Sequence, residues 1–138
     1  MSENDWKAEK RTELDNTPII FFFAELPWLK WPDVLPKTVE DEVLPLKMGI
    51  DKDLEGLLPN DEATRRMLRK ALRGYTRSFR YLDALAADSA VRYNIDKVQT
   101  GPVSELDRHS ASLELHRRAI LDRERARRAA RRHKQAVE

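Results

Sequence analysis

A mainly α-helical domain carrying one small β-hairpin is predicted by three features of this 138-residue chain. Residues 64–82 place Leu68, Ala71, Leu72 and Tyr75 on one side of a helix and a row of arginines on the other. The alternating run Val91–Ile95 is rich in β-formers and is followed by a second extended candidate, Val98–Val103. From Ser104 onward the residues favour one long helix. The length suits a single compact domain of about 80 to 90 packed residues with loose ends. The expected division is a disordered N-terminal arm at 1–16, a packed domain at 17–110 and a basic, Arg-rich helical tail at 111–138.

The elements follow in order. Thr17 is expected to cap a first helix with Pro18 at its first position. Ile19, Ile20, Phe22, Phe23 and Leu26 give that helix an apolar face, and it should stop before Pro27. Residues 28–45 carry Pro32, Pro36 and Pro45 and read as an irregular, acidic connection, with Trp28 and Trp31 packing into the core or a hinge. A short helix is expected near Asp51–Leu58, interrupted by Pro59 and Asn60. The main helix should start at a cap on Thr64 or Asn60, with Thr64 preferred. At 100° per residue, Arg66, Arg69, Lys70, Arg73, Arg77 and Arg80 fall within about 100° of one another. Met67, Leu68, Ala71, Leu72, Tyr75, Phe79 and Leu82 lie opposite, while Tyr81 sits off the apolar arc. Gly74 is a point where this helix could divide. Asp88, Ser89 and Ala90 form a turn before the hairpin. Ser104 and Asp107 begin the last helix, whose apolar face is Leu106, Leu113 and Ile120.

The net charge of +2 hides a strong asymmetry. Residues 1–62 hold fifteen acidic and seven basic residues, whereas residues 63–92 hold eight basic and two acidic ones. Residues 63–82 contain seven Lys and Arg and no Asp or Glu, interleaved with Tyr75, Phe79 and Tyr81. Basic charge mixed with aromatic rings suits nucleic acid. Arginines and lysines would take phosphates, with counterion release. Thr64, Arg65 and Arg66 stand where a helix N-terminus could add a phosphate site. A tyrosine beside arginines can hold a terminal nucleotide by stacking and through its hydroxyl.

The phrase PLKMGI (45–50), the Asp53-Leu54 pair, the string 68–82 (LRKALRGYTRSFRYL) and an arginine opening the strand together resemble the ProQ/FinO family of bacterial RNA chaperones. The match covers about residues 17–110. The resemblance implies a mostly helical fold with a small hairpin. It also implies binding of small regulatory RNAs and mRNA 3′ ends, with preference for a terminator-type hairpin and its 3′ single-stranded tail. Carried over position by position, Lys47 matches the lysine lining the family's RNA face. Arg69 and Arg73 open and close the R-x-A-L-R motif. Tyr81 matches the tyrosine of the pocket for the 3′ end, and Arg92 the arginine that starts the strand. Arg65 is basic where the family often is, with Arg80 and Tyr75 as secondary choices. Lys97 stands where a glycine is common in the hairpin turn.

Other classes find little support. There is no Gly-rich phosphate loop, nucleophile elbow or ligand-spaced His or Cys set, so no enzyme, cofactor or metal site is expected. His109 and His116 lack companions for a metal. Without cysteine, an apolar leader or a run of about 20 apolar residues, a soluble cytoplasmic monomer is expected, with no membrane and no small-molecule substrate. Two readings compete with RNA binding: an adaptor whose basic face docks an acidic protein, and a binder of duplex DNA.

Overall fold

The computed structural model describes residues 17–137, so the expected disordered arm lies outside the described residues. Helix α1 covers residues 17–24 and turns at Glu25, two residues before Pro27 as its sequence requires. Thr17 is already helical, and what caps α1 falls outside the described residues. Ile19, Phe22 and Phe23 are buried, with the two phenylalanine rings edge-to-face at 5.0 Å. Residues 26–45 contain no helix or strand, yet Val34, Leu35 and Val43 are core residues. Trp31 packs against Phe23 at 5.8 Å. Trp28, expected to pack, is instead 63% exposed.

Helix α2 is Ile50–Glu55, entered through Gly49 in the left-handed region at φ 81°. Helix α3 is Glu62–Thr76. It begins earlier than expected, because Asp61 rather than Thr64 is its cap: the Asp61 carboxylate accepts from the Ala63 N–H. Leu68, Ala71, Leu72 and Tyr75 are its buried residues, with helical spacing, and they form the centre of the core. Met67, expected in the core, is 57% exposed.

The basic helix does divide, but at Ser78 and not at Gly74. Ser78 is extended and 2% exposed. Its hydroxyl donates to the Tyr75 carbonyl at 2.7 Å and accepts from the Tyr81 N–H at 3.2 Å. One buried side chain thus closes α3 and caps α4, Phe79–Ala86. The break rotates the second segment. Phe79 turns outward at 45% exposure, and Tyr81 turns inward at 4%.

Strands β1 (Val91–Tyr93) and β2 (Gln99–Pro102) form the antiparallel hairpin. Its turn is built on Asn94, whose side-chain oxygen accepts from the N–H groups of Asp96 and Val98, and Lys97 adopts φ 62°. On its other side β1 receives the 45–47 segment as a short parallel bridge. There Tyr93 N–H donates to the Pro45 carbonyl (2.9 Å) and Lys47 N–H to that of Tyr93 (2.8 Å).

Helix α5, Glu105–Val137, has 33 residues and is about 50 Å long. The Ser104 hydroxyl accepts from the Asp107 N–H, as the capping pattern requires. The 110/111 division falls inside this helix, which runs unbroken across it. It packs along α4 through the face that contains Ala111, 3% exposed. The expected apolar face is turned outward instead: Leu106, Leu113 and Ile120 are 75%, 56% and 42% exposed.

Beyond Ala111 the docking of α5 is polar. Arg118 donates to the Arg77 carbonyl at 2.7 Å and to Glu114 at 3.0 Å. Arg117 and Arg118 together hold the Glu114 carboxyl down at a pKa of about 2, from 4.5. A depressed carboxylate stabilises the fold above its unfolded pKa and loses that contribution as pH falls through its folded pKa. Wild type is therefore expected to lose thermal stability between pH 4.5 and 2 through this site. Glu114→Gln should show a smaller decline across that window. Parallel acid profiles for the two proteins would contradict the assignment.

Candidate nucleic-acid interface

The sequence-predicted residues divide into two groups. Lys47, Arg69, Arg73, Tyr81 and Arg92 line one open cavity of about 410 Å³. Its rim is the turn Lys47–Met48–Gly49 and the start of α2, its wall is α3, and its floor is Tyr81 and Arg92. Helical spacing brings Arg69, Arg73 and Thr76 to the same side of α3. Gly49 permits the turn that swings Lys47 and the 70%-exposed Met48 to the mouth.

Thr64, Arg65, Arg66 and Arg80 do not line this cavity. At the start of α3 the Thr64 hydroxyl donates to the Asp61 carboxylate at 2.6 Å, and Arg65 donates to the Asn60 side-chain oxygen at 2.6 Å. Asp61 and Glu62 already place negative charge at this helix terminus. Arg66 is exposed nearby. Arg80, turned by the Ser78 break, clamps the acidic connection: it donates to the carbonyls of Val39 (2.6 Å) and Asp41 (2.8 Å).

Tyr81 is a buried floor residue and not a free stacking platform. Its hydroxyl accepts from the Leu46 N–H at 3.0 Å, and its ring lies 5.5 Å from that of Tyr75. Burial raises the pKa of both phenols, so both are neutral at physiological pH. Arg92 lies beside it, its side chain 12% exposed, donating to the Leu46 carbonyl at 2.7 Å and to the Asp107 carboxylate at 3.0 Å. Leu46 is thereby held at both its N–H and its carbonyl.

Carboxylates that the sequence reading passed over temper the site. Lys47 pairs with Asp53 at 3.0 Å. Arg69 pairs with Glu62 at 2.6 Å and with Glu55 at 3.6 Å. Asp51 lies on the cavity rim. The alternating acidic pattern of 50–55 (IDKDLE) was the available signal for Asp53, which lies six residues beyond Lys47. Arg73 has no carboxylate partner among the described residues, which leaves it the open cation of the cavity. Among the described residues no three His, Asp or Glu side chains are grouped to hold a metal ion, and no helix is long and apolar enough to cross a membrane.

The RNA chaperone ProQ of Histophilus somni (strain 2336) is 40% identical over 88 residues, which is 63% of this chain and 38% of that protein. The RNA chaperone ProQ of Idiomarina loihiensis is 36% identical over 100 residues, 72% of this chain and 44% of that protein. The chain thus spans about two fifths of the length of these curated relatives. The crystal structure of a FinO-like RNA chaperone from Neisseria meningitidis MC58 superposes with a TM-score of 0.55 over 90% of this chain and 93% of its own, at 22% identity. That likeness shows the mainly helical fold with its small hairpin. The model of the ProQ/FinO family matches residues 24–134, taking in most of α5, and the chain belongs to that family.

Proposed function

We propose that this chain is an RNA-binding chaperone module that takes the 3′ end of a terminator-type hairpin into the cavity of Lys47, Arg69, Arg73, Tyr81 and Arg92. The RNAs would be small regulatory RNAs and mRNA 3′ ends, met in the bacterial cytoplasm. Binding as a monomer would protect those ends and modulate sense–antisense pairing. Thr64, Arg65 and Arg66 at the start of α3, and Arg80 beside the acidic connection, would serve the flanking RNA or the scaffold. The observation that carries the reading is the convergence of four cations from the 45–47 segment, α3 and β1 on one small concavity. A concavity of about 410 Å³ suits a terminal nucleotide and is too small for a duplex.

A titration with a hairpin carrying a U-rich 3′ tail tests this, beside the same RNA ending in a 3′ phosphate and a blunt duplex. Tight, salt-sensitive binding of the free-tailed hairpin alone is expected. The extra charge of a 3′ phosphate would meet Asp51 at the rim and compete with Asp53 for Lys47. Equal affinity for all three would reduce the site to general electrostatics and defeat end recognition. No binding would favour docking of an acidic protein, since Lys47 and Arg69 already accept carboxylates within the chain.

A further inference from the structure

We propose that Asp107, in the first turn of α5, is a positioning residue of the RNA site, holding Arg92 in the orientation in which it faces the cavity. The inference rests on the RNA-binding reading above. Asp107 does not itself line the cavity. Its place is fixed by the Ser104 hydroxyl, which accepts from the Asp107 backbone N–H at 3.1 Å. Its carboxylate then takes one terminal nitrogen of Arg92 at 3.0 Å while the other terminal nitrogen donates to the Leu46 carbonyl at 2.7 Å. A planar guanidinium held at two points has its remaining N–H directions defined. Those are the groups left for a phosphate or a ribose hydroxyl.

The anchoring reaches further. Leu46, held by Arg92 and by the Tyr81 hydroxyl, precedes Lys47 on the cavity rim. Without Asp107 the guanidinium would keep the Leu46 bond and be free to turn about it. The long helix is therefore mechanically part of the site, although none of its residues lines the cavity.

Binding of the tailed hairpin should be measured for wild type, Asp107→Ala, Asp107→Asn, Arg92→Ala and the Asp107→Ala/Arg92→Ala double variant, at low salt where weakened complexes stay measurable. Asp107→Ala is expected to weaken binding about tenfold. Asp107→Asn, whose amide oxygen still accepts from the guanidinium, should recover most of that loss. In the Arg92→Ala background, Asp107→Ala should cost nothing further. Unchanged or tighter binding by Asp107→Ala would overturn the proposal, making the carboxylate a spectator or a competitor for Arg92. So would a full additional loss in the double variant, which would mean an effect through α5 packing, or no recovery by asparagine. Failure of wild type to bind the hairpin would instead defeat the functional reading.

Discussion

Tyr81→Ala is expected to destabilise the domain by about 3 to 5 kcal/mol, the range for removing a buried aromatic side chain. The ring is 4% exposed and packs on Tyr75 at the junction of α3 and α4. Its hydroxyl is also the acceptor for the Leu46 N–H. Tyr81→Phe separates the two roles: it keeps the ring, strands the N–H, and should cost about 1 to 3 kcal/mol. Urea unfolding checks both values. An alanine variant as stable as wild type would show that the ring is not in the core. The consequence for binding experiments is direct. Lost RNA affinity in Tyr81→Ala reports a lost fold, and only Tyr81→Phe reads the hydroxyl at the cavity floor.

Arg73→Glu is expected to leave stability within about 0.5 kcal/mol of wild type, as for surface changes away from structural partners. Its cost to RNA binding should be about 2 kcal/mol or more, near thirtyfold. Arg73 is exposed, lines the cavity and pairs with no carboxylate among the described residues. Arg69→Ala should cost less, because it removes one charge where Arg73→Glu reverses one, and because Glu62 and Glu55 already offset part of the Arg69 charge. Filter binding across a salt series reads both. An Arg69→Ala loss larger than that of Arg73→Glu would show that the Glu62 pairing breaks on binding and that Arg69 is the principal contact.

The contrast between these arginines shows where sequence reasoning ends. Leu68, Ala71, Leu72 and Tyr75 declared themselves by local spacing, and the hairpin and the Ser104 start did so by local chemistry. The amphipathic pattern ran straight through Ser78, where the helix breaks, and carried Phe79, Arg80 and Tyr81 to the wrong sides. In α5 the large apolar residues drew attention to Leu106, Leu113 and Ile120, whereas the small Ala111 is the helix's buried residue. Residue types and the family pattern pointed to Lys47, Arg69, Arg73 and Arg92. The pairings of Arg69 with Glu55 and of Arg92 with Asp107 depend on where α2 and α5 come to rest, which no local pattern encodes.

The bond from Arg92 to the Leu46 carbonyl closes a loop of 46 residues. A nascent chain that has emerged only through α3 carries Arg69 and Arg73 but neither Arg92 nor Asp107. Such a chain carries the basic stripe of α3, on a segment that is net negative, without a shaped cavity. On the RNA-binding proposal, selective recognition would therefore be withheld during synthesis until the first turn of α5 has left the ribosome, and a prematurely terminated product would carry the α3 arginines without the discrimination.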